Sequence, residues 1–230
     1  MAASGEILRL CHWDLDMPED RLEFLHETLS ADERARIERL ATPRLQARAI
    51  AARGGMRQAL GRHLGAAPAS LRFVTTSFGK PLLAGGGIQF NLSHSGGLAL
   101  LGISEHGRIG VDVEQAAQVP LELLAMLAPA EAAAIALLDG LDQAAAFFDC
   151  WTRKEAFAKA TGLGMSLPFD SFDVVSRSGH VTLLGPVAAA VAAAPRVWRT
   201  ASLGRIARCY GAVSVETTLD CVPFALEPLH

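Results

Sequence analysis

At 230 residues the chain is long enough to bury a substantial core, as one large domain or two small ones. Half of its residues are hydrophobic and a fifth are charged, an ordinary globular composition, and a net charge of -3 argues against a nucleic-acid-binding protein. The longest apolar runs, such as Val187 to Ala194, are too short to span a bilayer, so no membrane partner is expected.

The start, Met1 to Leu10, lacks the apolar core of a signal peptide. Cys11, Cys150, Cys209 and Cys221 show neither CxxC pairing nor metal spacing, so a reduced, cytoplasmic protein is expected. Ile7 to Leu15 reads as a strand. Ser30-Ala31-Asp32-Glu33 has the pattern of a capping box at a helix start. Pro43 suits the first position of a second helix, which runs through Arg48, Arg53 and Arg57 to Leu64-Gly65. Arginines crowd this first third, among them Arg34, Arg36, Arg39, Arg44 and Arg62, at helical spacing that suits a local phosphate site.

Leu71 to Thr75 reads as a short strand, Gly79-Lys80-Pro81 as a turn and Gly85-Gly86-Gly87 as a connection. Strands Phe90 to Ser95 and Leu98 to Ile103 follow. Ser93 and His94 invite a hydrolase reading, but Asn91-Leu92-Ser93-His94-Ser95 is not a nucleophile elbow, and no phosphate-binding loop of the Gly-x4-Gly-Lys-Ser/Thr kind is present. Gln115 to Pro120 reads as a linker. Leu121 to Leu138 is helical and apolar, restarting at Pro129. A further helix carries Phe147, Phe148, Trp151 and Ala158 as an apolar stripe and stops at Gly162. Phe172 to Ser176, Val181 to Leu184, Arg196 to Leu203 and Arg208 to Glu216 are strand-like, and residues from Thr217 onward read as a tail.

Two places carry chemistry. Ile109-Gly110-Val111-Asp112-Val113-Glu114 alternates as a half-buried strand does, with Ile109, Val111 and Val113 toward the core and Gly110, Asp112 and Glu114 facing the other way. Two carboxylates on one strand face beside a side-chain-free glycine suit a hard cation with open space next to it, such as Mg²⁺; a solvated strand end shows the same pattern. On the later helix, Glu155 and Lys159 are four apart and share a face, as a surface ion pair also does.

Together the segments resemble the 4'-phosphopantetheinyl transferase superfamily. The motifs are Phe78-Gly79-Lys80-Pro81 with Phe90-Asn91-Leu92-Ser93-His94-Ser95, then Gly110-Val111-Asp112-Val113-Glu114, then Trp151-Thr152-Arg153-Lys154-Glu155-Ala156-Phe157-Ala158-Lys159-Ala160-Thr161-Gly162-Leu163-Gly164. They stand in the family's order over roughly residues 8 to 215. Length points to the surfactin-synthetase-activating type, not the shorter, trimeric holo-acyl-carrier-protein synthase type. The resemblance implies an α+β fold of two similar α/β halves about a pseudo-twofold axis, with the active site in the cleft between them. The halves would be residues 1–115, binding the coenzyme A nucleotide, and 116–216, with 217–230 as a tail.

The implied reaction moves 4'-phosphopantetheine from coenzyme A to a serine of an apo acyl- or peptidyl-carrier protein and releases 3',5'-ADP. The resemblance assigns Asp112, Glu114 and Glu155 to Mg²⁺, which Mn²⁺ can replace, and makes Glu155, directly or through a metal-held water, the base. Lys159 steadies the leaving phosphate. Arg48, Arg36, Lys80, Ser93 and His94 hold coenzyme A, with Arg48 on its 3'-phosphate. Glu33 stands where many relatives carry lysine, a departure that weakens the expected nucleotide contact. A monomer is expected. The alternative from another class is a non-catalytic carrier-binding module of the same fold; a metal-dependent phosphohydrolase is more distant.

Overall fold

The computed structural model describes residues 7–76, 79–117, 119, 121–174, 181–183, 191, 197–218 and 224–229. The described elements run β1 (Leu8–Asp14), α1 (Glu19–Glu27), α2 (Ala31–Glu38), α3 (Pro43–Leu64), β2 (Phe73–Thr75), β3 (Pro81–Leu83), β4 (Gln89–Ser95), β5 (Leu98–Ser104) and β6 (Ile109–Gln115). The chain continues through α4 (Leu121–Leu124), α5 (Pro129–Ala136), α6 (Gly140–Thr161), β7 (Phe172–Asp173), β8 (Thr182–Leu183), β9 (Val197–Ile206), β10 (Cys209–Thr217) and β11 (Phe224–Pro228). The fold is α+β. Phe78, Cys221, Val187 and the end of the strand expected over Phe172 to Ser176 lie outside the described residues.

Local chemistry places the helices as read. Ser30 and Glu33 form both halves of a capping box at α2. Thr42 caps α3, with Pro43 in its first turn. Gly65 and Gly162 close α3 and α6 in the left-handed conformation, at φ 64 and 80.

Two sheets share the core. One has the order β11-β1-β5-β4 and the other β6-β10-β9. Every residue of β5 is buried, because both of its faces are covered. Ala99, Leu101 and Ile103 pack with Trp13, Ala51, Met56 and Leu60 under α3. Leu98 and Leu100 face the opposite way and pack with Ile109, Val111 and Val113 of β6 and with Val213 and Val215 of β10. The other face of the second sheet carries α6, whose Phe157 packs on Phe172 and Trp198. The layers therefore run helix, sheet, sheet, helix.

Tertiary pairing changes three expectations. The strand of Asp112 and Glu114 hydrogen-bonds in register with β10, Asp112 opposite Ala212 and Glu114 opposite Tyr210, so it belongs to the sheet of the later half. The segment read as a tail contributes β11, which pairs in parallel with β1 from Leu8 opposite Phe224 to His12 opposite Pro228. Sequence alone left it a tail because an edge strand needs only one partner, and that partner lies at the other end of the chain. Gly110 does not leave open space: a Cβ there would fall on the carbonyl of Ala156 and the amide of Ala160. The glycine is what lets α6 lie directly on β6.

Candidate active site

The close seating of α6 on β6 brings the two chemical segments together. Lys159 reaches across from the helix, and its Nζ donates to Asp112 Oδ1 at 2.6 Å and to Ser93 Oγ at 2.9 Å. Ser93 Oγ in turn donates to Asp112 Oδ1 at 2.9 Å. Asp112 is 1% exposed, and its Oδ2 is buried with no hydrogen-bond partner. Lys159 is therefore not half of a surface pair with Glu155; it is tied to the strand on which its helix packs.

Glu114 accepts a hydrogen bond from Ser95 Oγ at 2.7 Å. Burial pushes the Glu114 carboxyl above its ordinary value, Ser95 opposes that, and the charge of Asp112 adds to it. The Glu155 carboxyl is raised by burial first and then by Asp112 and Glu114, against the pull of Lys159. Three carboxylates thus feel one another, with one lysine among them. Among the described residues no group of three His, Cys, Asp or Glu is placed to hold a metal ion as it stands. A buried oxygen without a partner, beside carboxyls raised by burial first and by neighbouring charge second, is nonetheless chemistry that a hard cation would satisfy.

β4 is the wall beside these groups. Its alternate residues divide between two sides. Asn91, Ser93 and Ser95 face β6: Asn91 Oδ1 accepts from Val111 N at 2.9 Å, and Ser95 Oγ accepts from Gln115 N at 3.1 Å. Side chains join these strands where no backbone ladder does. Leu92 and His94 face the other way and line a cleft of about 780 Å³ with Arg36, Arg53, Arg57, Arg72 and Phe73. That volume suits a small-molecule ligand, and its lining carries more basic than acidic side chains, with Asp32 and Glu33 set against the arginines. Burial and the charge of Lys159 hold the His94 imidazole below its ordinary value.

The remaining expected residues have other partners. Glu33, buried inside the capping box, accepts from Arg53 Nε at 2.5 Å and Arg57 Nε at 2.8 Å. Its acidity anchors two cleft arginines, a role that a lysine in that place could not fill. Arg36 lines the cleft and remains exposed. Arg48 does not line it: its Nε and one terminal nitrogen bind Asp16 at 2.7 and 2.6 Å, holding the Asp16 carboxyl down to about 2. Lys80 donates to the carbonyls of Ile109 at 2.9 Å and Lys159 at 3.1 Å, and burial with nearby Arg108 pushes its ammonium down to about 8. The Lys159 carbonyl lies in the last turn of α6, where a cation is favoured.

Sequence reading missed Ser95 and Asn91 as partners of β6. The alternation within Asn91-Leu92-Ser93-His94-Ser95 is the signal that could have separated them from His94. It also passed over Lys154, which is fully buried and pairs with Glu131 at 2.7 Å, so Glu131 braces the later half and not the carboxylate group. No described helix is long and apolar enough to cross a membrane.

Comparison with known proteins places the chain in a family. The model of the 4'-phosphopantetheinyl transferase superfamily matches residues 108–203. The chain is 41% identical over 159 residues to the 4'-phosphopantetheinyl transferase HetI of Nostoc sp., a match covering 66% of this chain and 67% of that one. It is 33% identical over 116 residues to the 4'-phosphopantetheinyl transferase Sfp of Bacillus subtilis, covering 49% of this chain and about half, 51%, of the relative. On the strength of the HetI match and the family model, the chain belongs to the 4'-phosphopantetheinyl transferase superfamily and is a transferase of that type.

Proposed function

We propose that the protein transfers 4'-phosphopantetheine from coenzyme A to a serine of an acyl- or peptidyl-carrier protein. The observation that carries this reading is the Lys159–Asp112–Ser93 group, with Glu114 and Glu155 beside it, one strand away from a cationic cleft. A diphosphate ester needs charge neutralisation and alignment, and a serine hydroxyl needs a base.

The nucleotide end of coenzyme A sits in the cleft, with Arg36, Arg53, Arg72 and His94 around its phosphates and Phe73 as an apolar floor. Arg48 reaches the 3'-phosphate by exchanging the paired oxygens of Asp16 for those of the phosphate, both of which fit its planar fork. Lys80 stays on the carbonyls that seat Lys159. Asp112, Glu114 and Glu155 would hold a divalent cation, Mg²⁺ or Mn²⁺ in its place, which when bound supplies positive charge to the diphosphate. Glu155 takes the proton of the carrier serine. The serine oxygen bonds to the phosphorus that bears pantetheine, and the bond from that phosphorus to 3',5'-ADP breaks. Lys159 meets the negative charge that grows on the departing oxygen. The free Cys11, Cys150 and Cys209 suit a reducing, cytoplasmic setting.

The test is mass spectrometry of an apo carrier incubated with the protein, coenzyme A and Mg²⁺. The expected result is one added phosphopantetheine on a carrier serine. An unmodified carrier with intact coenzyme A leaves a binding module, and hydrolysed coenzyme A leaves a phosphohydrolase.

A further inference from the structure

Ser93 and Ser95 each use one hydroxyl in two directions, and in the same way. Ser93 Oγ accepts from Lys159 Nζ at 2.9 Å and donates to Asp112 Oδ1 at 2.9 Å. Ser95 Oγ accepts from Gln115 N at 3.1 Å and donates to Glu114 Oε2 at 2.7 Å. A hydroxyl carries a single proton. Once its lone pairs are engaged by an N–H, that proton is committed to the carboxylate. Both serines are held by β4, whose register against β5 is set by a backbone ladder from Gln89 opposite Ser104 to Ser95 opposite Leu98. Their reach toward β6 is therefore fixed by the sheet and not by loop geometry.

The consequence lies on the carboxylates. Asp112 Oδ1 is taken by Ser93 and Lys159, while Asp112 Oδ2 is buried and unpartnered. Burying a carboxylate oxygen with nothing to bind is costly, and such an atom calls for an occupant. On Glu114 the serine likewise takes one oxygen and leaves the other outside the pair.

We propose that Ser93 and Ser95 are paired positioning residues: each pins one oxygen of Asp112 or Glu114 and so presents the other to a divalent cation. His94 between them, on the opposite face of β4, serves the nucleotide cleft, so three successive residues divide between two tasks by strand alternation. The inference rests on the transferase reading given above and goes beyond it in assigning these hydroxyls to the carboxylates.

The experiment measures Mn²⁺ binding by electron paramagnetic resonance and, separately, transfer kinetics, on the full chain and on Ser93→Ala, Ser95→Ala and Ser95→Thr. Loss of an orienting partner commonly costs about 10–100-fold in metal affinity or activity. Both alanine variants are expected to lose Mn²⁺ affinity and kcat in that range, with KM for coenzyme A nearly unchanged. Ser95→Thr keeps the hydroxyl and restores both. Unchanged Mn²⁺ affinity with a raised KM for coenzyme A would overturn the inference and return the serines to the phosphates. Should Ser93→Ala fail to fold, the two Ser95 variants decide alone. A wild-type chain that binds Mn²⁺ but transfers nothing would sink the function reading instead, whatever the variants bind.

Discussion

Glu155 carries two consequences of one burial. Its carboxyl is raised by desolvation and by the Asp112 and Glu114 charges, so the folded chain holds that proton more tightly than the unfolded chain, whose ordinary value is 4.5. The resulting stability is fully present below 4.5 and is lost as pH rises through the folded value. At neutral pH the ionised group is a net cost when no cation is supplied. Glu155→Gln in the presence of chelator is therefore expected to melt higher than the wild type at neutral pH, with the gap closing below 4.5, while abolishing transfer. A lower Tm for the variant at neutral pH would show that Glu155 is a structural acceptor. Arg48 poses a second question at this scale. If phosphate replaces Asp16 on its fork, Arg48→Ala raises KM for coenzyme A by about tenfold or more, as loss of a charge-assisted contact does. KM for dephospho-coenzyme A, which lacks the 3'-phosphate, stays put. Equal losses for both substrates would leave Arg48 as the anchor of Asp16 alone.

Among the elements, the contact of α6 with β6 decides whether the residues meet. Gly110 sits where the helix backbone crosses the strand, and the atoms a Cβ would strike are backbone, which cannot turn aside. Gly110→Ala is expected to lose about 1–3 kcal/mol in denaturant unfolding and to lower kcat, since any relief moves Lys159 away from Asp112. Unchanged stability would mean that the helix has slack. The same contact is braced from the β2–β3 hairpin by Lys80, at the carbonyls of Ile109 and Lys159. Its folded value of about 8 lies below its ordinary 10.5, so the unfolded chain binds the proton more tightly between those limits. Stability of the wild type relative to Lys80→Met should rise as pH climbs from about 8 to 10.5 and be flat below that window. Parallel stability curves across it would place the ammonium in water.

For the whole molecule, one chain supplies the cationic cleft from α2, α3 and β4 and the carboxylates from β6 and α6. The described residues of the proposed site all come from this one chain. The protein is expected to be active as a monomer, as sedimentation velocity with transfer assayed across the boundary would show. Activity confined to a trimer would contradict this. The C-terminal β11 closes the edge of the first sheet on β1, so the two ends of the chain stabilise each other.

What the sequence determined by itself is local. Alternation in Ile109 to Glu114 places the carboxylates on one strand face, because successive side chains on a strand must point opposite ways. Ser30 with Glu33, and Thr42, mark helix starts through hydrogen bonds to their own neighbours, Pro43 by its fixed φ, and Gly162 marks a helix end by its left-handed backbone. Motif order was sufficient to point to the superfamily. The tertiary structure decided what covers each face. It made Gly110 a seat for α6, set Glu33 under Arg53 and Arg57, gave Arg48 to Asp16, and turned the presumed tail into β11. It also sent Ser93 and Ser95 to the carboxylates and His94 to the cleft. The reason is one of range: period and capping are settled within a few residues, whereas the partner of a face or an edge comes from chain segments far away in sequence, whose arrival no local pattern records.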